Sequence, residues 1–163
     1  CFYVKMSDVL RNELEKKKYG LNRKLLQDSG DDMRKKYGSH ILAKVSIDYL
    51  PRDKELIVID GIRNPGEIDY LKKTFGRMFV LIAIDSPPEM RFERLVKRGR
   101  SDDPKTLEEF QELDDRDQGT GQPDHVQQTR RCIEQADFLI NNDGTFEDFQ
   151  TKIAETMQKI FGG

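Results

Sequence analysis

Long apolar runs are missing from this 163-residue sequence, and so is tryptophan. The longest apolar run, MFVLIAI at positions 78–84, has seven residues, whereas a membrane-spanning helix needs about 20. The first residues also lack the basic start and apolar stretch that are typical of a secretory signal peptide. The sequence therefore predicts neither a membrane segment nor a leader, and its length fits one folded domain over 1–163.

An excess of charge of one sign is missing as well. Lysine and arginine number 28 against 30 aspartate and glutamate, and the formal net charge is -2. This balance provides no broad basic field for nucleic acid, so any anion site has to come from a local cluster. The two cysteines, Cys1 and Cys132, lie far apart and form no C-x-x-C pair, which favours a reducing compartment and predicts a cytoplasmic protein.

Short apolar segments alternate with amphipathic ones along the chain. The pattern predicts strands at 1–6, 54–61, 77–85 and 137–144. Between and after them it predicts helices at 7–20, 22–38, 39–50, 64–76, 86–99, 103–118, 126–136 and 145–161. The expected N-caps are Ser7, Ser39, Ser86 and Thr145, and Gly20 is expected to end the first helix. The second and third strands are apolar at consecutive positions, as strands covered on both faces are. We therefore expect an α/β fold, with a parallel sheet between helical layers.

Charged and amide residues follow the predicted strands. Asp8 and Arg11 come after the first strand, Asp60 and Arg63 come after the second, and NNDG at 141–144 ends the last. Ligands of open α/β sheets bind at this edge, and the arginine fork fits phosphate or carboxylate. The alternatives are an Asp–Arg pair of structural use only, and a helix cap beside an ordinary surface arginine.

The stretch ERLVKRGRSDD at 93–103 concentrates positive charge. Arg94 and Arg98 share a helix face, and Arg100 follows Gly99, where the helix is expected to end. Asp102 and Asp103 are expected to pair with these arginines when no ligand is bound. Such a segment suits a lid that closes over phosphates, although a solvated helix face explains the same charges.

These motifs resemble those of a known enzyme family. ERLVKRGRSDD with the later Arg116 resembles the lid of P-loop nucleoside monophosphate kinases, and SDVLR at 7–11 resembles their acceptor-binding segment. IDGIRNPGEIDYL, RFERLVKRGRSDDPKTLEEF and ADFLINNDGTFEDF occur in the order typical of the dephospho-coenzyme A kinase-like small nucleotide kinases. The resemblance covers nearly the whole chain.

The resemblance implies a three-layer P-loop kinase fold with a short lid at about 98–122. It implies transfer of the ATP γ-phosphoryl group, with Mg²⁺, to a deoxynucleoside monophosphate or a dephospho-coenzyme A-like acceptor. The implied residues are Asp60 near Mg²⁺ through water and near the acceptor, Asp8, Arg11 and Arg63 at the acceptor, Arg98, Arg100 and Arg116 at the transferring group, and Asn142 and Gly144 near the adenine.

The sequence departs from that family at one important point. It contains no G-x-x-x-x-G-K-[ST] loop, which in the family follows the first strand and holds the donor phosphates. We therefore expect the first strand and this loop to be missing from the chain, and a complete sheet to have about five strands. A non-catalytic nucleotide sensor, acting on a fused or partner deaminase domain, is one alternative, and a structural interaction domain is another. A homodimer is also compatible with the sequence.

Overall fold

The computed structural model describes residues 1–16, 23–100, 103–119 and 121–162. Within these residues the chain is an α/β protein with four short strands: β1 (Phe2–Lys5), β2 (Ile57–Asp60), β3 (Ile82–Asp85) and β4 (Phe138–Asn141). The helices that join and follow them are α1 (Met6–Lys16), α2 (Arg23–Tyr37), α3 (Ile41–Asp48), α4 (Pro65–Phe75), α5 (Pro88–Arg98), α6 (Leu107–Gln118), α7 (Thr129–Glu134) and α8 (Phe146–Phe161). None of the described helices combines the length and the apolar character needed to cross a membrane.

The strands pair in parallel, as the alternation of strands and helices predicts. β1 pairs with β2, and β3 pairs with β4, so the described strands form two separate two-stranded sheets. In both pairs the last residues lie in register, Lys5 beside Asp60 and Asp85 beside Asn141. The carboxyl ends within each pair therefore meet at one edge.

The expected burial of β2 and β3 on both faces is wrong for the described structure. Val58 is 38% exposed and Ile84 is 55% exposed. Val58 lies in register with Tyr3, which is also exposed, so the β1–β2 pair has one open face. Alternate side chains of a strand point to opposite faces, and the described helices do not cover both.

The main hydrophobic core lies among helices α1, α3 and α4, next to the β1–β2 pair. Met6 and Leu10 of α1 pack there with Leu42 and Ala43 of α3 and with Leu71 of α4, all of them buried. This core positions the start of α1 and the loop after β2 against each other, because Ile59 and Ile62 pack on the same cluster.

Several helix ends differ from their expected caps. Thr145 caps α8 together with Asp148, as predicted, but Ser7 lies inside α1, and the N-caps of α3 and α5 are His40 and Pro87. Ser39 and Ser86 were the expected caps of those two helices. Ser86 donates its hydroxyl proton to the Asn142 carbonyl oxygen instead. Gly20, the expected end of the first helix, lies outside the described residues.

A buried ion pair joins α2 to α4. Arg34 and Glu67 have side chains only 2% and 0% exposed, and their charged groups approach to 2.8 Å. Glu67 also accepts hydrogen bonds from the backbone N–H groups of Arg63 and Asn64, at 2.8 and 3.1 Å. One buried carboxylate thus connects α2, the start of α4 and the loop after β2.

Two glycines with left-handed backbones provide a matched stability test. Gly119 and Gly121 have φ of 72° and 71°, but only at Gly119 would a Cβ meet another atom, the Gln127 carbonyl oxygen at 2.1 Å. We expect Gly121→Ala to lower the free energy of unfolding by about 1–2 kcal/mol, the cost of a left-handed backbone for alanine. Gly119→Ala should cost at least about 2 kcal/mol more, because backbone atoms have to move. Urea unfolding of both variants measures the difference, and equal losses would contradict the close approach of residues 119 and 127.

Candidate functional site

A tyrosine of β1 contacts the carboxylate at the end of β2. The Tyr3 hydroxyl donates a hydrogen bond of 2.6 Å to Asp60 Oδ2. This hydrogen bond, with smaller contributions from burial and from the negative charges of Asp60 and Asp8, raises the pKa of Tyr3 to about 12. Asp60 and Asp8 thus lie near one phenol, and the predicted proximity of the two strand ends is present in the structure. The side chain of Arg11, half-buried on α1, makes no hydrogen bond or ion pair with any residue in the described ranges.

Asp60 is the residue expected near Mg²⁺, and this ion commonly uses one or two carboxylates and completes its shell with water and substrate phosphates. The described residues contain no group of three or more side chains that could by themselves hold a metal ion. A site of the kind implied for Asp60 does not require such a group.

Arg63 extends from the loop after β2 towards the end of α6. Its Nη1 lies 3.4 Å from Asp117 Oδ2 and 3.4 Å from Gln127 Oε1. Both distances exceed the usual 2.9–3.0 Å of a hydrogen bond of this type, so the contacts are weak. Its side chain is 43% exposed, and its Nε and Nη2 have no hydrogen-bond partner among the described residues. Arg63 can therefore accept an anionic ligand without losing a strong contact.

Arg116 lies on α6 next to Asp117, but it contacts α2. Its Nη2 donates to Asp28 Oδ1 at 2.6 Å and to Asp31 Oδ2 at 3.1 Å. Burial acts to lower the pKa of Arg116, but the hydrogen bonds to Asp28 and Asp31 outweigh it and raise that pKa. The end of α6 is thereby held against α2.

These contacts form one continuous charged network. Asp31 binds both Arg116 and Arg34, and Arg34 binds Glu67, whose other oxygen holds the backbone of Arg63. The network connects α6, α2, α4 and the loop after β2. A change at any of these groups is transmitted through shared partners, because residues in one ion-pair network couple.

The stretch at 93–103 has its helix end where the sequence predicted it. Gly99 ends α5 in the left-handed conformation, with φ of 65°. Arg98 binds Asp103 through two of its nitrogens, and this pairing lowers the pKa of Asp103. Arg100 donates its backbone N–H to the same carboxylate, while its exposed guanidinium has no partner among the described residues. The expected pairing of an arginine with Asp103 is thus confirmed, and Asp102 lies outside the described residues.

The residues expected near the adenine have local partners. The Asn142 side-chain and backbone oxygens accept hydrogen bonds from Arg94 at 3.2 and 3.0 Å. A Cβ on Gly144 would lie 2.7 Å from Asp148 Oδ2, so the Thr145–Asp148 cap requires a glycine there. Arg94 therefore joins α5 to the turn after β4.

A cavity opens at the carboxyl ends of β3 and β4, with a volume of about 540 Å³. Asp85 lies at its wall and accepts a hydrogen bond from Arg91, which also binds Asp114 of α6. The polar lining further includes Ser86, Arg130, Asn141 and Asp143. Its position is the one that open α/β sheets use for ligands.

Some contacts near the candidate site involve residues that the sequence pattern did not indicate. Gln27 and Asp117 meet across α2 and α6 at 2.6 Å, 90 positions apart, and Tyr3 meets Asp60 across β1 and β2. Glu67 alone had a sequence signal, since it stands three positions after Asn64 as in a capping box. The other contacts depend on distances between elements, which no local pattern contains.

No protein-family model matches the chain. It is 38% identical over 163 residues to a UPF0200/UPF0201 protein of Archaeoglobus fulgidus, and the match covers 96% of this chain and 47% of that protein. It is 34% identical over 161 residues to a UPF0200 protein of Pyrococcus horikoshii, covering 96% of this chain and 83% of the relative. A UPF0200 protein of Methanocaldococcus jannaschii is also 34% identical, over 160 residues and 77% of its length. The chain thus spans about half of the Archaeoglobus relative and most of the other two.

Proposed function

The chain belongs to the UPF0200 protein family, and we propose that the complete protein transfers the γ-phosphoryl group of ATP to a small phosphorylated acceptor. The observation that carries this proposal is a set of arginines paired with carboxylates. Arg63, Arg98 and Arg116 come from three different segments, and each one binds at least one aspartate. Aspartates neutralise these arginines in the same charge-assisted way that phosphate oxygens would.

The acceptor is proposed to bind at the ends of β1 and β2. Arg63 and Arg11 hold its phosphate, since they belong to the loop after β2 and to the helix after β1. Asp8 contacts a hydroxyl group of the acceptor. The acceptor class is a nucleotide-like monophosphate, either a deoxynucleoside monophosphate or a molecule like dephospho-coenzyme A.

The transferring group is proposed to lie between the lid and the same edge. Arg98, Arg100 and Arg116 stabilise its charge, and Asp60 orients a Mg²⁺ ion through water. When bound, Mg²⁺ neutralises charge on the donor phosphates. Asn142 and Gly144 lie near the adenine, beside the cavity at β3 and β4. Catalysis of this kind consists of positioning and charge stabilisation.

The donor phosphates require backbone N–H groups and a lysine of the kind that a phosphate loop provides. The 163 residues contain no such motif, so we propose that residues outside this sequence hold those phosphates. The same observation favours the alternative of a nucleotide sensor without turnover, which would act on a deaminase domain or another partner.

A transfer assay separates the two functions. The full-length protein is incubated with Mg²⁺, radiolabelled ATP and a panel of deoxynucleoside monophosphates and dephospho-coenzyme A. Label that appears in one acceptor supports the kinase. Saturable ATP binding without transfer to any acceptor supports the sensor, and absence of both contradicts both proposals.

Arg63→Ala is expected to weaken acceptor binding by about 10- to 100-fold, since a charge-assisted hydrogen bond contributes about 1.5–3 kcal/mol. ATP affinity should change by less than about threefold, because Arg63 is proposed to contact the acceptor alone. Titration calorimetry of the full-length protein with each ligand measures both effects. Arg77→Ala, at an exposed arginine after α4, is the matched control and should leave both affinities unchanged.

A further inference from the structure

Asp117 lies between the side-chain amide of Gln27 and the charged guanidinium of Arg63, which belong to two other elements. Its Oδ1 accepts a hydrogen bond of 2.6 Å from Gln27 Nε2 of α2, and its Oδ2 lies 3.4 Å from Arg63 Nη1. The Asp117 residue is buried, and Gln27 is only 4% exposed. The Asp117 carboxylate thus accepts from two side chains, Gln27 and Arg63, that could equally donate hydrogen bonds to a phosphate.

Among the described residues, Gln27, one of the partners of Asp117, does not make all the hydrogen bonds that its side chain can form. Gln27 Oε1 is buried and has no hydrogen-bond partner in the described part of the chain. A buried carbonyl oxygen without a donor is unfavourable, so this arrangement stores a cost that another arrangement can remove. The amide orientation follows from chemistry, because only the NH₂ group can donate to an ionised Asp117.

Within the described structure, Arg63 also leaves part of its hydrogen-bonding capacity unused. Its contact with Asp117 is long, and two of its nitrogens face no acceptor among the described residues. A phosphate carries more oxygens and more negative charge than a carboxylate, and it can bind the arginine fork through two parallel hydrogen bonds. A phosphate is therefore a better partner for Arg63 than Asp117 is.

We propose that Asp117 is an internal competitor, which holds the phosphate subsite of Arg63 and Gln27 closed until a ligand phosphate displaces it. The ligand phosphate takes the hydrogen bonds of Arg63 and of the Gln27 NH₂ group. Gln27 Oε1 then accepts from a hydroxyl or amine of the same ligand. The preferred ligand is a phosphate monoester that carries such a donor next to its phosphate.

Displacement of Asp117 also involves its neighbour on α6. Arg116 holds the same turn of α6 to Asp28 and Asp31 of α2. Since residues 116 and 117 are adjacent, departure of Asp117 moves the helix end and loosens this second contact. Ligand binding thereby releases Arg116 for its proposed role at the transferring group. This inference rests on the proposed phosphate role of Arg63.

The test compares Asp117→Asn with Asp115→Asn in the full-length protein, with inorganic phosphate and glycerol 3-phosphate as probes. Asp115 is an exposed aspartate on the same helix, so it controls for the loss of one negative charge. Asp117→Asn is expected to bind both probes about tenfold more tightly, a coupling of ordinary size, and Asp115→Asn to bind them as the wild type does. Arg63→Ala added to Asp117→Asn should remove the gain. Unchanged or weaker binding by Asp117→Asn would overturn the proposal.

A measurement on the unaltered protein avoids any effect of substitution on folding. The side-chain NH₂ signals of Gln27 should shift in nuclear magnetic resonance spectra as phosphate is added, because their acceptor changes. The side-chain signals of Gln158, exposed on α8, should stay in place. Stationary Gln27 signals at saturating phosphate would overturn the proposal. If these tests succeed and no phosphate is transferred from ATP, the internal competitor is supported and the kinase activity is not. If transfer occurs but Asp117→Asn binds the probes with unchanged affinity, the kinase activity is supported and the internal competitor is not.

Discussion

Glu67→Ala is expected to lower the free energy of unfolding by about 3–5 kcal/mol, the usual loss when one partner of a buried ion pair is removed. The substitution leaves the Arg34 guanidinium buried beside only one remaining acid, Asp31. It also removes the acceptor of two backbone N–H groups at the start of α4. Urea unfolding of the full-length protein, followed by circular dichroism, measures the loss.

The matched control is Asp69→Ala on the same helix. The Asp69 side chain is exposed and makes no hydrogen bond or ion pair with the described residues, so its replacement should change stability by less than about 0.5 kcal/mol. Replacing both partners by apolar residues, Arg34→Met with Glu67→Leu, should recover part of the loss, since no buried charge is left alone. Full recovery would show that the backbone contacts of Glu67 contribute nothing.

Arg100→Ala is expected to lower kcat for phosphoryl transfer by about a thousandfold, the smaller end of the range for an arginine that stabilises transferring phosphate. KM for the acceptor should change far less, because the contact is proposed to form mainly in the transition state. Arg100 is chosen over Arg98 because of its contacts. Arg98 already binds Asp103, whereas the guanidinium of Arg100 is exposed just beyond the end of α5.

Lys97→Ala controls for the loss of one exposed positive charge in the same stretch and should leave kcat within about twofold of the wild type. Steady-state kinetics of the full-length protein with its acceptor provides both constants. An Arg100→Ala variant with unchanged kcat would assign this arginine to the solvated surface. Equal losses in Arg100→Ala and Lys97→Ala would indicate a general charge effect.

The candidate residues differ in how far the sequence could place them. Asp60 and Arg63 were predicted at the end of a strand, and the structure has them there, since a short β-branched run followed by Asp-Gly marks such an end. The pairing of Arg98 with Asp103 was also predictable, because the two residues are five positions apart across one helix end. The contact of Arg116 with Asp28 was not, since 88 positions separate them.

Burial is the property on which the prediction from sequence failed. Apolar residues at consecutive positions of β2 and β3 predicted strands covered on both faces, yet Val58 and Ile84 are exposed. The residues set how apolar each face is, but the neighbouring elements decide whether that face is covered. The residues that the structure describes form two separate pairs of strands, whereas one sheet of about five was expected of the complete protein.

The sequence by itself determined the order of strands and helices, their parallel pairing, and the charged residues at the strand ends, because periodicity and turn residues act over a few positions. The tertiary structure alone decided which polar side chains of distant segments meet. It buried Glu67 against Arg34, placed Asp117 between Arg63 and Gln27, and set Tyr3 against Asp60. The physical reason is that an ion pair or hydrogen bond depends on a separation of about 3 Å. Such separations between distant segments follow from how whole helices pack, and no local stretch of sequence contains that information.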